Sequence, residues 1–207
     1  MNHLALATLL PALLCAASPA LAQDFVFGGF ARNIYSDTPI PDSAPSPREA
    51  VGLITAGPLE VTLESTTLDE VTKAFGGEVR ETGQAGDHVL WVCYAAPDHT
   101  VWFGSSGEMS DGAVAMVAAS TEKALPEWGC APAPQQLGVP NLGLPSLGGS
   151  IANVKRLLGE APGTGDLVYM RITPEPANPD TQQQQVITFS QDGGRISGMG
   201  VSQVTSN

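Results

Sequence analysis

Basic side chains are scarce in this chain: its 207 residues hold 9 Lys and Arg against 21 Asp and Glu, a formal net charge of −12. A surface this acidic repels phosphate backbones and anionic lipid headgroups. We therefore expect no nucleic-acid partner. The sequence also lacks a phosphate-binding loop, a dinucleotide-binding fingerprint and a basic stripe. No cofactor is predicted, because those are the patterns that hold the common nucleotide cofactors.

Long apolar runs are almost absent as well. The longest lies near the N-terminus, between Leu4 and Ala17, and it is too short to span a bilayer stably. The small-residue pattern Ala20-x-Ala22 follows it, which is what a signal peptidase reads. We expect a signal peptide over residues 1–22, cleaved after Ala22. The mature chain is then periplasmic or secreted and has no membrane span.

Cysteine is rare, with three residues in the chain. Cys15 lies inside the N-terminal apolar run, so lipidation there is an alternative, although Leu14 stands where that cleavage needs a small residue. The other two are Cys93 and Cys130. In an oxidising compartment such a pair favours a disulfide, and two separate buried thiols are the alternative.

The segment before residue 51 has little to bury. Residues 36–48, SDTPIPDSAPSPR, are dense in Pro, Ser and Asp. This composition is typical of extended or disordered chain. We therefore expect a disordered Pro/Ser-rich leader over residues 23–50 and the first ordered structure near Val51.

Two ten-residue segments, 67–76 and 150–159, are similar without a gap. Each begins with a hydroxyl residue, has apolar residues at the first, fourth, seventh and eighth following positions, and ends at glycine. This pattern predicts a capped amphipathic helix of about two turns. Thr67 and Glu70 also have the spacing of a capping box. Helices this short need packing to be stable, so each must lie against other structure.

Strand-like runs follow each predicted helix in the same order. The runs are residues 89–94, 100–103 and 113–118 after the first helix, and 167–172, 186–189 and 195–201 after the second, with a Pro-rich connection over 173–180. Tight turns between such runs favour antiparallel meanders.

We therefore predict an α+β fold of two tandem units, each a short helix or helix pair packed on a three- to four-stranded antiparallel sheet. The first unit spans residues 51–131 and the second residues 132–207, and residues 132–145 form the link between them. A single irregular α+β domain is the alternative.

The second helix carries a recognisable pattern. The run Leu147 to Ser150, with Val154, Leu157 to Gly159 and Pro162, resembles the helix signature of the small outer-membrane assembly lipoproteins of the small protein A type. The doubled arrangement is similar to the β-lactamase inhibitory protein fold. The resemblance implies helices packed on one face of an antiparallel sheet, and a protein that binds other proteins without chemistry. It carries over no binding residue.

A metal site is the first chemistry to weigh. His88 and His99, with Cys93 and Cys130, provide enough ligands for tetrahedral zinc. In a strand over 89–94, however, the side chains of His88 and Cys93 project to opposite faces. We therefore expect no metal.

A hydrolase that uses His88 or His99 with a nearby serine or carboxylate is the alternative function. The candidate serines, Ser105 and Ser106, lack the spacing of a nucleophile elbow. A hairpin turn accounts for them, and also for the carboxylates Glu108 and Asp111. No catalytic residue is therefore assigned.

Aromatic residues cluster in the predicted strands, and most are expected in the core. Trp91 and Trp102 exceed what one thin layer of short helices covers, so we expect an exposed aromatic sheet face. We assign protein binding to Trp91, Tyr94 and Trp102. The leading hypothesis is an exported noncatalytic protein-binding module that uses this face. A purely structural role in an envelope assembly is the remaining alternative.

Overall fold

The computed structural model describes residues 25–37, 40–41, 43–84, 88–106, 111–161, 165–175 and 178–206. The expected signal peptide over residues 1–22 and the alternative lipidation site at Cys15 lie outside the described residues. Glu108 and Pro162 do so too.

The described chain forms short helices and ten strands, named here in chain order. The helical elements are α1 (Gly29–Arg32) with a π-helical turn (Asn33–Asp37), α2 (Leu68–Phe75), a 3-10 turn (Pro126–Trp128) and α3 (Ile151–Leu158). The strands are β1 (Ile54–Ala56), β2 (Leu59–Val61), β3 (Arg80–Thr82), β4 (Val89–Ala95), β5 (Thr100–Ser106), β6 (Met116–Ser120), β7 (Ala131–Pro132), β8 (Leu167–Glu175), β9 (Asn178–Asp192) and β10 (Arg195–Ser206).

One eight-stranded sheet forms the centre of the molecule. Its strand order is β3-β4-β5-β6-β10-β9-β8, and β7 pairs in parallel with β4. The antiparallel meander β4–β5–β6 occupies one half, and the meander β8–β9–β10 occupies the other. The two halves meet where β6 pairs with β10, with Met116 opposite Ser202. The predicted α+β class is confirmed.

The helices α2 and α3 begin and end where local chemistry predicts. In α2 the Glu70 amide donates to Thr67 Oγ1 at 3.2 Å, and the Thr67 amide donates to Glu70 Oε2 at 2.8 Å, which is the predicted capping box. The Thr67 amide and the Thr67 hydroxyl both donate to Glu70 Oε2, and these two hydrogen bonds lower the pKa of the Glu70 carboxyl. In α3 the Ser150 hydroxyl accepts from the Ala152 amide at 3.2 Å.

The C-terminal ends of the two helices make corresponding contacts with the sheet. The Tyr94 hydroxyl, on β4, donates to the carbonyl of Gly76 after α2 at 2.7 Å. The Tyr169 hydroxyl, on β8, donates to the carbonyl of Gly159 after α3 at 2.9 Å. Burial raises the pKa of both phenols to about 12. In each meander, therefore, the first strand forms a hydrogen bond to the C-terminal end of the helix.

The N-terminal ends of the helices correspond as well. The Leu68 amide donates to the carbonyl of Gly112, in the turn before β6, at 2.8 Å. The Ile151 amide donates to the carbonyl of Gly194, in the turn before β10, at 3.0 Å. Each helix is thus tied at its start to the turn that precedes the third strand of its meander. These bonds use amides that the helix itself leaves without partners.

The apolar sides of α2 and α3 pack on the same face of the sheet. The buried residues of this core include Leu68, Val71, Phe75, Val92, Tyr94, Phe103, Ile151, Val154, Tyr169, Ile187 and Phe189. The expected link over residues 132–145 joins this core through buried Leu137 and Leu142, and Asn141 pairs with Thr55 of β1.

The other face of the sheet is covered by residues 25–35, the N-terminal cover. Phe27, Phe30, Ala31 and Ile34 are buried there against the strands. This contradicts the expectation of a disordered leader over residues 23–50, at least for the N-terminal cover. The expectation came from the composition of residues 36–48. Phe27 and Phe30 lie before that stretch, and burial of each side chain stabilises the fold by about 2 kcal/mol.

The connection expected over residues 173–180 is also different in the structure. The strand β8 continues to Glu175, and β9 begins at Asn178. Thr173 pairs with Gln183, and Pro174 pairs with Gln182. Proline is accommodated because β8 is an edge strand of the sheet, where alternate N–H groups face away from the one neighbouring strand.

Candidate functional site

The aromatic face proposed from the sequence is not exposed. Trp91, Tyr94 and Trp102 each have 0% exposure. Tyr94 lies under α2, in contact with Phe75 and Phe103. Trp91 and Trp102 lie on the opposite face of the sheet. The expectation of an exposed protein-binding face at these residues is therefore wrong in this structure, and they are core residues.

The N-terminal cover, together with Trp128 of the 3-10 turn, buries the two tryptophans. The ring of Phe27 lies 5.5 Å from that of Trp91, and Trp128 lies 5.7 Å from Trp102, centroid to centroid. The Val26 amide donates to the carbonyl of Glu127 at 2.8 Å. A segment distant in sequence thus supplies the second layer that the short helices do not provide.

Two glycines of β10 make room for the N-terminal cover. A Cβ on Gly198 would lie 2.8 Å from Phe30 Cδ2, and a Cβ on Gly200 would overlap Ile34 Cδ1. Glycine inside a strand often marks such a close approach. The signal for a covering segment was therefore present in the sequence as Gly198-x-Gly200, together with the phenylalanines near residue 27.

The predicted disulfide between Cys93 and Cys130 is formed. It joins the middle of β4 to the loop after the 3-10 turn, which also positions Trp128. The Trp91 Nε1–H donates to the carbonyl of Trp128 at 3.2 Å, so the same loop is held twice. A disulfide is typical of oxidising compartments, and this one fits an exported protein.

The two histidines lie at opposite ends of the β4–β5 hairpin. His88 precedes β4 and lies 3.3 Å from Glu81, whereas His99 precedes β5 and lies 2.7 Å from Asp98. A seven-residue strand separates these ends by about 20 Å. The two histidines therefore cannot act in one site. Ser105 lies opposite Leu90, near the His88 end of the hairpin, and it is buried in β5.

Among the described residues, no group of three or more His, Cys, Asp or Glu side chains is placed to hold a metal ion. The side chains of Val89 and Trp91 lie with Cys93 on one face of β4, and Val92 and Tyr94 lie on the other, which is the alternation expected for a strand.

A groove lies between α3 and residues 46–53, and we call it the α3 groove. Its volume is about 830 Å³, larger than the hollow of about 510 Å³ beside Phe30. Leu53 and Leu157, which line it, are 52% and 59% exposed. Buried Val51 and Ile187 also line it. The α3 groove therefore offers apolar side chains to solvent in a concave setting.

The wall formed by residues 46–53 is fixed to the sheet. The Arg171 guanidinium donates to the carbonyl of Pro47 at 2.7 Å. The side chain of Gln185, on β9, accepts from the Val51 amide at 2.6 Å and donates to the Val51 carbonyl at 2.9 Å. Because these partners are strand residues, the α3 groove has a shape that exists before any ligand arrives.

The charges in the α3 groove differ from those of the chain as a whole. Arg48 and Arg156 line it with Glu49, and all three are exposed. Among the described residues, neither guanidinium group forms an ion pair, whereas the neighbouring Lys155 pairs with Glu160 at 3.0 Å. The lining thus carries one excess positive charge on a chain of net charge −12.

The exposure of Leu157 is a difference from the sequence pattern, which placed it on the apolar side of α3. Its direction is about 120° from that of Ile151 around a helix with 3.6 residues per turn. It therefore lies at the margin of the apolar stripe, and the sheet does not reach it. The corresponding residue of α2 is the small Ala74, so the comparison of the two helices could have marked Leu157 as unusual.

In the part of the chain that the structure describes, no helix is both long enough and apolar enough to cross a bilayer.

Comparisons with known proteins assign no family to this chain. No protein family matches the chain, and no curated protein matches it in sequence. One solved structure, described as that of a candidate β-lactamase inhibitor protein from Streptococcus mutans, is similar with 9% identity and a TM-score of 0.25. The match covers 71% of this chain and 89% of that chain. The resemblance noted in the sequence stays a prediction.

Proposed function

We propose that this chain is an exported noncatalytic protein-binding module, and that the α3 groove is its contact surface. The observation that carries the proposal is the pair of exposed leucines, Leu53 and Leu157, in a concave site whose wall is fixed to the sheet. Exposed apolar side chains that share one concave region are typical of interaction sites. Polar and charged groups at the rim, here Arg48, Glu49 and Arg156, are typical of protein interfaces.

The exported location is part of the proposal. We infer that residues 1–22 are removed after Ala22 and that the mature chain is periplasmic or secreted. The disulfide between Cys93 and Cys130 supports an oxidising compartment. Such a location limits the partners to proteins of the envelope or of the extracellular medium.

Affinity purification from the native envelope tests the proposal. The mature chain, tagged at its C-terminus, is used to capture partners beside the Leu53→Ser, Leu157→Ser double variant. We expect each protein captured specifically by the wild type to be depleted about tenfold or more with the variant, because the central apolar contacts of an interface dominate its binding energy.

A matched control separates the groove from general surface effects. Leu125 and Val204 are each 46% exposed and do not line the α3 groove. The Leu125→Ser, Val204→Ser double variant should capture the same proteins as the wild type. If both double variants retain the partners equally, the α3 groove is not the contact surface, and if the wild type captures no protein specifically, the binding role itself is wrong.

A further inference from the structure

We propose that the α3 groove binds an extended segment of the partner that carries both apolar and acidic side chains. This inference rests on the proposed function and names the chemistry of its ligand. Three features of the groove support it: main-chain groups that have no partner among the described residues, exposed apolar side chains, and guanidinium groups that form no ion pair among the described residues.

The first feature is the backbone of the groove wall. Ala50, Gly52 and Leu53 are exposed, and in the described part of the chain their main-chain N–H and C=O groups make no hydrogen bond. Val51 between them is bonded on both its N–H and C=O to Gln185. The wall is thus held rigidly while its neighbouring donors and acceptors stay free. Such backbone is a template for an added strand from a partner.

The second feature is the apolar lining. Leu53 comes from the wall and Leu157 from α3, so the two leucines are contributed by different elements of the same groove. Gly52 leaves open space beside the wall, since a Cβ there would meet nothing within 4 Å. An extended segment that pairs with the wall would direct alternate side chains into the groove, where one apolar side chain contacts both leucines.

The third feature is charge. Arg48 on the wall and Arg156 on α3 present guanidinium groups without an ion pair among the described residues. Guanidinium groups bind carboxylates with two parallel hydrogen bonds. Glu49 offsets one of the two charges, so a single excess positive charge remains to attract an acidic segment. Because the overall charge of −12 opposes the approach of any acidic ligand, the attraction must come from the two arginines at short range.

The test uses synthetic peptides as defined probes. An acidic peptide, acetyl-Ser-Asp-Leu-Asp-Leu-Asp-Ser-amide, is titrated into the ¹⁵N-labelled mature chain and followed by amide chemical shifts. Two matched peptides replace Asp by Lys, or Leu by Ser. We expect the acidic peptide to shift the amides of Ala50, Gly52 and Leu53 and those at the end of α3. We expect each replacement to weaken binding about tenfold.

Charge reversal on the protein sharpens the test. Arg156→Glu should weaken the acidic peptide about tenfold and strengthen the lysine peptide. Lys73→Glu is the matched control, because Lys73 occupies in α2 the position that Arg156 occupies in α3. It should leave the affinities for both peptides unchanged. Dodecanoate is added as a third kind of probe, since an apolar carboxylate without a peptide backbone could use the same leucines and arginines.

The outcomes separate this inference from the proposed function. Equal binding of the acidic and lysine peptides, or no shift at Gly52 and Leu53, overturns the inference. Tighter binding of dodecanoate than of the acidic peptide overturns it too, since the site then serves an amphiphile. If the leucine variants lose the captured proteins but the acidic peptide does not bind, the proposed function stands without this ligand. If the acidic peptide binds but the leucine variants lose no captured protein, the proposed function is overturned, because the α3 groove is then not the contact surface. The chemistry inferred for the ligand of the groove would remain.

Discussion

The two halves of the sheet, each with its helix, differ most on their exposed surfaces. In the buried interior, Tyr94 and Tyr169 make the same hydrogen bond to the glycine that ends α2 or α3. In sequence, residues 51–131 contain twelve acidic and three basic side chains, whereas residues 132–207 contain five and four. The contacts needed for folding are shared by both halves, and the features that we assign to binding belong to one of them.

The exposed sides of α2 and α3 also differ. The exposed side of α2 begins with Asp69 and Glu70, which suit the positive end of a helix dipole and present acidic groups to solvent. The exposed side of α3 carries Arg156 and Leu157 beside a groove. The two helices share a capped apolar pattern, and α2 buries Leu68, Val71 and Phe75 where α3 buries Ile151 and Val154. Of the two, α3 is the one that presents an apolar and basic surface beside a groove. The difference between the exposed sides of α2 and α3 is therefore the reason for placing the binding site at α3.

The largest expected effect concerns the first half alone, which contains the disulfide. Replacing both Cys93 and Cys130 by serine removes a link between residues 37 apart. We expect the free energy of unfolding to fall by about 4 kcal/mol, because the unfolded chain gains loop entropy. Urea unfolding measures it, and the wild type reduced with dithiothreitol is the control. A loss under about 1 kcal/mol would show that the first half does not depend on this link.

A smaller effect is expected where the N-terminal cover meets the second half. Gly200→Val places side-chain atoms against Ile34, so the N-terminal cover must move. We expect the free energy of unfolding to fall by about 1 to 3 kcal/mol and the tryptophan emission to shift to longer wavelength as Trp91 and Trp102 meet water. Gly138→Ala is the control, since a Cβ there meets nothing within 4 Å. Unchanged emission would contradict the role of the cover.

The smallest effect tests whether the halves are equivalent. Tyr94→Phe and Tyr169→Phe each remove one hydrogen bond to a helix end, and each should lower the free energy of unfolding by about 1 kcal/mol. Tyr35→Phe is the control, since the Tyr35 hydroxyl makes no hydrogen bond in the described part of the chain. A large loss for one variant and none for the other would argue against two corresponding units.

The same two tyrosines predict a dependence on pH. Their pKa is about 12 in the folded chain, against 10.0 for an ordinary tyrosine. As the pH rises above 10, the unfolded chain releases these protons first, so the free energy of unfolding falls between about pH 10 and pH 12. The double Tyr→Phe variant should lack this part of the fall. Thermal unfolding at a series of pH values measures the difference.

The helices could be predicted from the sequence because their signals are local. A cap such as Thr67 and a terminal glycine such as Gly159 act within one turn, and both helices have the predicted bounds. The alternation of strand residues and the pairing of Cys93 with Cys130 were predicted correctly for similar reasons: strand geometry has a period of two, and only two cysteines follow the proposed signal peptide. The division into tandem units at residue 131 stays a prediction.

The aromatic face could not be placed from local signals. Whether Trp91 and Trp102 are exposed depends on the N-terminal cover, a segment more than fifty residues earlier in the chain. The composition of residues 36–48 led to the prediction that this segment is disordered. The spacing of Gly198 and Gly200 in β10 is consistent with a covering segment, but a glycine in a strand can also mark a bulge or a bend.

Local hydrogen bonds and side-chain periodicity set the helices, the strands and the α+β class, since each of these acts over only a few residues. Long-range packing decided which apolar side chains are covered. It buried Trp91, Tyr94 and Trp102 and left Leu53 and Leu157 at the α3 groove. The physical reason is that burial is a property of two surfaces in contact, and the second surface can come from any part of the chain.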